Sequence, residues 1–357
     1  MISFSEVPGL EVSPFLLLFI GVAVGVVAGF IGVGGGFMIT PALIVMGFPA
    51  SIAVGTGLAN IAGSSVVAVM RHRQMGNVDV KLGATMALGT LGGVEVGVRL
   101  VNWLKDQGLA DESVLGVSLV LMAFISGYTA WETRQAKRHM DGLAPSKEGT
   151  SLRDMVTSGA ARKLQRLNIW PVIYLPRSRV RISLWMLVLI GFVAGVLSGF
   201  IGVGGGFIMG PALIYLVGVP SHITVGTDLL QIVLTASYGT VRHTMSGNVL
   251  IFASFLMMLG ASVGTQIGTL ATSYVSGLAV RFVLALAVGF AALGTAFELA
   301  NVLSGETHSL LDAAAKAILF GGMGTLMLAI VTLLILGVMR RRGRPIPAWA
   351  QSLIVER

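Results

Sequence analysis

Apolar segments recur along almost the whole chain and are separated by short polar stretches. Most of them reach the roughly 17 to 25 residues that a helix needs to cross the hydrocarbon core of a bilayer. They cover approximately residues 14–31, 36–48, 51–70, 80–101, 113–131, 183–201, 206–219, 222–241, 249–272, 278–300 and 314–338. A single anchor helix would not give this pattern, which predicts an all-α polytopic membrane protein.

The segments fall into two copies of one repeat. Residues 29–44 read GFIGVGGGFMITPALI, and residues 199–214 read GFIGVGGGFIMGPALI. The similarity continues beyond this motif, with one inserted residue in the second copy before Pro220. Further matching pairs are Gly55-Thr56 and Gly226-Thr227, Arg71-His72 and Arg242-His243, Gly76-Asn77 and Gly247-Asn248.

Each copy contains five apolar segments, and one further segment follows the second copy. An odd number of crossings forces the second copy to enter the membrane from the opposite side, which gives the inverted repeats of many secondary transporters. The expected organisation is a first transmembrane repeat over residues 1–131, a basic linker over 132–182, a second transmembrane repeat over 183–300, and an extra helix with an Arg-rich tail over 301–357.

Charge is scarce and unevenly placed. Only 11% of the residues are charged, whereas a soluble domain carries roughly a quarter, so a water-soluble protein is nearly excluded. The formal net charge of +8 reflects Lys and Arg residues in the linker and the C-terminal tail, which fits the positive-inside rule better than a nucleic-acid partner. We therefore expect a multi-pass protein of the cell inner membrane with a cytoplasmic linker and C-terminus. The residues before Pro14 lack a basic n-region, so we interpret them as mature sequence.

Two apolar segments, 36–48 and 206–219, are too short to cross alone. About 13 residues span roughly 20 Å of a core about 30 Å thick. Glycines precede each segment and favour unwound backbone, so we expect broken half-helices that face the protein interior. Their free N–H groups and positive helix ends suit an anion. The predicted substrate-binding residues are Gly34, Gly35, Gly36, Thr40, Pro41, Thr56, Asn60, Gly204, Gly205, Gly206, Pro211, Thr227 and Gln231.

The alternative is that these glycines only allow close helix packing. Two other glycine series have the small-xxx-small spacing that permits such packing. They are Gly21, Gly25 and Gly29 in the first copy, and Gly191, Gly195 and Gly199 in the second.

A few ionisable residues lie within or beside the apolar segments, where a functional role is the default hypothesis. Asp228 and Glu95 are candidates for coupling transport to a proton gradient, with a helix N-cap as the alternative for Asp228. Arg71 and Arg242 are candidates for attracting an anion to each mouth, with snorkelling to the interface as the alternative. The chain has no cysteine, and its histidines lack zinc-ligand spacing. We therefore expect no metal, no cofactor and no enzymatic activity.

The paired glycine motif, with the Gly-Thr pairs after it, resembles the sulfite exporter TauE/SafE family over roughly residues 15–300. This resemblance implies a permease for sulfite, sulfoacetate or another organosulfonate, and we favour export by alternating access. An anion channel, or a membrane sensor or assembly factor acting through residues 132–182, are the alternatives. The expected partners are a small anion and the lipid bilayer, with a homodimer left open. The linker and the last helix exceed the compact family pattern, which leaves an added regulatory or assembly role open.

Overall fold

The computed structural model describes residues 2–4, 7–74, 76–142, 170–178, 180–219, 221–275, 277–305, 308–351 and 353–354. Eleven helices in these ranges correspond one to one to the eleven apolar segments. They are α1 Pro14–Ile31, α2 Gly36–Val45, α3 Ala50–Gln74, α4 Val80–Asp106, α5 Ala110–Gly142, α6 Leu184–Ile201, α7 Gly206–Ala212, α8 Ser221–Met245, α9 Ile251–Thr272, α10 Gly277–Leu303 and α11 Ser309–Arg341. A short helix, α12, follows at Ala348–Gln351.

Eight of the described helices are long and apolar enough to cross a membrane. The helices α2 and α7 are short, as the sequence predicts, although a π-helical turn at Leu213–Val217 extends α7. The remaining long helix, α8, carries a series of polar residues on its buried side. This arrangement confirms a polytopic helical membrane protein.

A two-stranded antiparallel hairpin precedes the first helix of each repeat, which the sequence patterns did not predict. The strands are β1 Ile2–Phe4 and β2 Val7–Val12 before α1, and β3 Val172–Leu175 and β4 Val180–Ser183 before α6. Strands of three to six residues give too short an alternation to be recognised beside long apolar helices. Most of the expected linker, residues 143–169, lies outside the described residues, whereas α5 and the second hairpin occupy its two ends.

The helices of the two repeats exchange partners. The first helix of each repeat packs along the fourth helix of the other, so α1 packs on α9 and α6 packs on α4. In the same way α3 packs on α8 and α5 packs on α10, while α11 lies against α10. This reciprocity gives the protein an approximate two-fold internal symmetry.

Glycine seams make the closest of these contacts. A Cβ atom on Gly25 would lie 2.6 Å from the carbonyl oxygen of Ala261, and one on Gly199 would lie 2.6 Å from that of Val94. Neither helix pair leaves room for a side chain, because backbone faces backbone. Close packing at the small-xxx-small positions is therefore confirmed.

Candidate functional site

Glycine-rich turns separate each first helix from the short helix that follows it. The helix α1 ends at Ile31 and α2 begins at Gly36, and the turn between them requires positive φ angles that L side chains rarely adopt. A similar turn joins α6 to α7. The glycines with positive φ are Gly32 (83°), Gly34 (79°), Gly35 (70°), Gly202 (82°), Gly204 (75°) and Gly205 (90°). The predicted unwound backbone before each short helix is therefore present.

The two short helices begin next to each other in the interior. The rings of Phe37 and Phe207, the second residues of α2 and α7, stack with centroids 4.9 Å apart. A Cβ atom on Gly36 would lie 2.7 Å from the Cα of Val203. The N–H groups at the start of an α-helix have no carbonyl partner one turn earlier in the same helix. Those of Met38 and Ile208 bond to the carbonyls of Gly35 and Gly205, and the first N–H groups of both helices lie close together here. The positive ends of both helix dipoles lie in the same region.

Polar side chains with unpaired atoms lie in the same interior region. Thr40, Asn60, Asp228 and Gln231 are each at most 2% exposed. Each has a side-chain oxygen without a hydrogen-bond partner in the described part of the chain. Such a buried atom costs about 1–3 kcal/mol, and native proteins retain few of them. These four unpaired side-chain oxygens are therefore available to interact with a ligand or with water.

Three of these side chains lie against the glycine turns. A Cβ atom on Gly202 would lie 2.7 Å from Thr40 Oγ1, and one on Gly206 would lie 3.1 Å from Asp228 Oδ2. Asn60 lines a cavity at the first glycine turn. Thr40 therefore faces the turn of the opposite repeat, whereas Asp228 faces the start of the short helix in its own repeat.

Asp228 is not a helix N-cap. The helix α8 begins at Ser221, so Asp228 lies two turns inside it and the N-cap interpretation is wrong. Its counterpart in the first repeat is Gly57, whose missing side chain would point at Thr40 Oγ1, 3.3 Å from a Cβ atom. Asp228 thus contributes a carboxyl group to the central region from the second repeat, where the first repeat has a glycine.

The two predicted threonines of the Gly-Thr pairs bind backbone. Thr227 Oγ1 accepts a hydrogen bond of 2.9 Å from the N–H of Asp79, and Thr56 Oγ1 accepts one of 3.0 Å from Leu250. Each hydroxyl therefore binds the N-terminal end of the fourth helix of the other repeat, α4 for Thr227 and α9 for Thr56, instead of remaining unpaired at the centre. Their assignment as substrate ligands stays a prediction.

The predicted prolines lie inside the short helices. Pro41 lies in α2 and Pro211 in α7. A proline lacks the N–H that would bond the carbonyl four residues earlier. In α2 that carbonyl belongs to Phe37, one residue after the glycine turn.

Glu95, the second coupling candidate, lies away from this group and pairs with Arg242. Arg242 Nε and Nη2 donate to the Glu95 carboxylate over 2.5 and 2.8 Å, Arg99 Nε donates over 2.8 Å, and the Tyr238 hydroxyl donates over 3.1 Å. A two-pronged arginine–carboxylate pair of this kind is among the stronger polar contacts in proteins. Arg242, predicted to attract an anion, is thus already engaged. The side chain of Arg71 lies outside the described residues.

A narrow cavity of about 30 Å³ extends from the first glycine turn between α1, α3 and α9. This volume holds about two water molecules. Its walls include Gly32, Gly34, Asn60, Ser64, Ser65, Ala68, His72, Thr265 and Thr269. The cavity is much smaller than a substrate channel.

Some residues of the site were missed by sequence reasoning. Ser198 is fully buried, and its hydroxyl has no partner among the residues that the structure describes. It stands where the first repeat has Ala28, so comparing the two copies would have revealed it. Thr90 accepts a hydrogen bond from the amide of Gln231, 141 residues away, and no local pattern signals such a contact. Among the described residues, no group of three or more His, Asp or Glu is arranged to hold a metal.

Comparison with known proteins shows which family this chain resembles. A family model for the sulfite exporter TauE/SafE matches residues 17–295. The probable membrane transporter protein YjnA of Bacillus subtilis is 26% identical over 261 residues, which are 71% of this chain and 88% of YjnA. YunE, also a probable membrane transporter protein of Bacillus subtilis, is 25% identical over 261 residues, which are 71% of this chain and 86% of YunE.

A more distant relative comes from an archaeon. The probable membrane transporter protein MJ0441 of Methanocaldococcus jannaschii is 25% identical over 205 residues, which are 56% of this chain and 60% of that protein. No solved structure matches the chain. Because the family match spans most of the sequence and both glycine motifs, the chain belongs to the sulfite exporter TauE/SafE family.

Proposed function

We propose that this protein is a permease that moves a small sulfur-containing anion, such as sulfite, sulfoacetate or another organosulfonate, across the inner membrane. The observation that carries the proposal is the meeting of two glycine turns in a region where the buried hydroxyl of Thr40 has no hydrogen-bond partner in the described part of the chain. Backbone N–H groups and hydroxyls can donate to sulfur oxyanions without a fixed positive charge. Such neutral donors suit an anion that must bind and then leave.

Alternating access explains the central packing better than a channel does. The Phe37–Phe207 stack and the close approach of Gly36 to Val203 fill the centre, and the adjoining cavity is only about 30 Å³. Since an open pore needs a continuous wet path, conduction through this centre requires the repeats to move. The reciprocal packing of the first and fourth helices supports two inverted repeats that rock about the site.

Export is the favoured direction. A negative-inside potential helps an anion to leave by about 2.3 kcal/mol per charge at 100 mV. This argument assumes the orientation that the basic linker and tail favour, with both in the cytoplasm. Asp228, a carboxyl at the centre, is the candidate for proton coupling.

Flux through purified protein in liposomes tests the proposal. Vesicles are loaded with sulfite, sulfoacetate, taurine, sulfate or phosphate, and efflux is followed in the presence of an imposed potential. We expect saturable efflux of one sulfite or sulfonate anion and little of sulfate or phosphate. Empty liposomes and protein with Thr40→Val are the controls. Non-saturable electrical conductance would favour a channel, and no flux of any anion would contradict a permease.

A sensor or assembly factor, unlike a permease, would need the linker for its function. Deleting part of residues 143–169 should leave efflux intact in a permease, because the helices that form the glycine-turn region lie outside this segment. Loss of function with normal efflux would instead favour a partner-binding role for the linker. A thermal unfolding transition like that of the full-length protein shows that the deletion variant is folded.

A further inference from the structure

Two equivalent passages leave the central site, one in each half of the internal symmetry. The first lies between α1, α3 and α9, and contains the cavity described above. The second lies between α6, α8 and α4. Counterpart residues follow from the sequence repeat, so Asn60 corresponds to Gln231 and His72 to His243. The two passages are therefore built alike and can be compared position by position.

Polar and small residues line the first passage. Near the centre, Asn60 Oδ1 has no partner in the described ranges; the residue that corresponds to Thr90 in this passage is Ala261, which has no polar side-chain group. Farther out, Thr265 and Thr269 of α9 line the cavity together with His72 of α3. His72 and Thr269 are half-buried, so this passage approaches the surface at their end.

Side chains fill the second passage close to the centre. Gln231 donates a hydrogen bond to Thr90 across it, where the first passage has Asn60 and Ala261. Beyond this bond, Leu58 covers Gly239, since a Cβ atom on that glycine would lie 2.9 Å from Leu58 Cδ1. His243 is fully buried, and its Nε2 lies 3.1 Å from the carbonyl oxygen of Gly199.

An ion pair bridges α8 and α4 beyond these contacts. Arg242 of α8 holds Glu95 of α4 through two hydrogen bonds, and Tyr238 and Arg99 donate to the same carboxylate. The side chains of Arg242 and Glu95 are only 28% and 22% exposed. A partly buried bidentate pair is screened less than a surface one.

Further along, the end of α4 is tied to the turn after α8. Lys105 Nζ donates to Asn248 Oδ1 over 2.6 Å, and Asn248 Nδ2 donates to Asn102 Oδ1 over 2.8 Å. Asn102 Nδ2 in turn donates to Ser246 Oγ over 2.9 Å. The second passage is thus closed from the centre to its outer end.

The first passage lacks the carboxylate of this bridge, and the side chain of Arg71, the counterpart of Arg242, lies outside the described residues. Where the second has Glu95, the first has Gln266, whose amide donates to the carbonyl of Ser262 in its own helix. Tyr238 is replaced by Val67 and Arg99 by Leu270. No carboxylate occupies this position to bind an arginine between α3 and α9. The two passages therefore differ already in their amino-acid sequence.

We propose that Glu95 and Arg242 form the gate of the second passage, and that Thr265, Thr269 and His72 line the open route, by which we mean the passage in which Gln266 replaces Glu95. This inference rests on the proposed function, since a gate has a meaning only in a transporter. In this state the second passage is closed, and the first is narrowed to the cavity of about 30 Å³. Breaking the pair shifts the protein toward the state in which the second passage is open.

Thiol labelling tests this directly, because the natural chain contains no cysteine. Single cysteines are placed at Thr265 and Thr269 in the open route, and at their counterparts Val94 and Val98 in the closed one. A small anionic methanethiosulfonate reagent is applied to the full-length protein in detergent. We expect Thr265→Cys and Thr269→Cys to react faster than Val94→Cys and Val98→Cys by about tenfold or more.

The gate is then broken in the closed-route background. Adding Glu95→Gln to Val94→Cys or Val98→Cys should raise labelling by about tenfold, and the charge-reversed pair Glu95→Arg with Arg242→Glu should restore protection. The reversed pair also shows that the protein still folds. Equal labelling of both routes, or a rate unaffected by Glu95→Gln, would overturn the proposal. Since labelling uses no substrate, this outcome is independent of whether any sulfur anion is transported.

Discussion

The hydroxyl of Thr56 accepts a hydrogen bond from the backbone N–H of Leu250 over 3.0 Å, across 194 residues of sequence. Its counterpart Thr227 accepts one from Asp79 over 2.9 Å. Asp79 and Leu250 are the residues from which α4 and α9 start. Each Gly-Thr pair therefore anchors a helix of the opposite repeat, and the two bonds are related by the internal symmetry.

Replacing Thr56 by valine should destabilise the protein. The shape is kept, but the buried N–H of Leu250 loses its acceptor, which costs about 1–3 kcal/mol. Thermal unfolding in detergent, followed by intrinsic fluorescence, measures the loss. Thr56→Ser is the matched control, because it keeps the hydroxyl. Unchanged stability with lost anion binding would instead return Thr56 to the substrate site.

The same substitution at Thr40 should have the opposite result. Thr40 is fully buried, and its hydroxyl has no partner in the described residues, so Thr40→Val removes an unpaired polar atom and leaves stability equal or slightly higher. Anion affinity should fall, because a donor is lost at the glycine turns. Ligand-induced thermal shift separates the two effects. A stability loss as large as that of Thr56→Val would show that Thr40 has a structural partner.

Much of the fold follows from the sequence, because long apolar segments and a nearly identical motif in each half constrain it strongly. The helix bounds agree well for α1, predicted over 14–31 and found at Pro14–Ile31. The β-hairpins did not follow, since their contacts are made with distant elements. Leu175 and Val180, for example, are buried beside Leu82 and Leu213.

The site was only partly predictable for a related reason. Backbone conformation is encoded locally, so the glycines with positive φ were recognisable from their spacing. Side-chain partners are not encoded locally, and the pairing of Glu95 with Arg242 joins residues 147 positions apart. The sequence alone therefore predicts separate roles for them, in coupling for Glu95 and in anion attraction for Arg242. The uncharged Gln266 at the position of Glu95 in the other repeat was one signal of their asymmetry.

Adding a methyl group to the α1–α9 seam should separate the helices. A Cβ atom on Gly25 would lie 2.6 Å from the carbonyl oxygen of Ala261, and backbone cannot yield as a side chain can. Gly25→Ala should therefore lower stability by about 1–3 kcal/mol, measured by thermal unfolding. Gly116→Ala on α5 is the control, since in the described part of the chain no atom other than those of its chain neighbours and the adjacent backbone of α5 lies within 4 Å of its Cβ position. Equal effects of the two variants would contradict the seam.

Alanine substitution of two glycines with similar backbone conformations distinguishes the effect of backbone strain from the loss of a functional glycine turn. Gly35 and Gly76 have φ angles of 70° and 73°, so alanine at either position costs about 1–2 kcal/mol. A Cβ atom on Gly35 would also lie 2.7 Å from a methyl group of Val24, whereas none lies within 4 Å at Gly76. We expect efflux to be lost in Gly35→Ala and retained in Gly76→Ala. Loss in both would mean that the glycine turn has no special role.

The two carboxyl groups considered for coupling should respond differently to neutralisation. Asp228 of α8 is buried beside the first residue of α7, and its Oδ1 is unpaired in the described part of the chain. Glu95, in contrast, is hydrogen-bonded by Arg242. Only a carboxyl that gains and loses a proton during the cycle can link transport to a pH gradient. Asp228→Asn should therefore abolish the dependence of efflux on an imposed gradient while exchange of internal for external substrate continues.

Glu95→Gln is the matched control for this experiment. It changes the rate of the cycle by weakening the gate, but the gradient dependence remains because Asp228 is intact. Fluxes measured in liposomes at equal protein density, with the gradient present or dissipated, compare both variants. A gradient dependence that survives Asp228→Asn but disappears in Glu95→Gln would exchange the two roles, because it would place the exchangeable proton on the ion pair rather than at the centre.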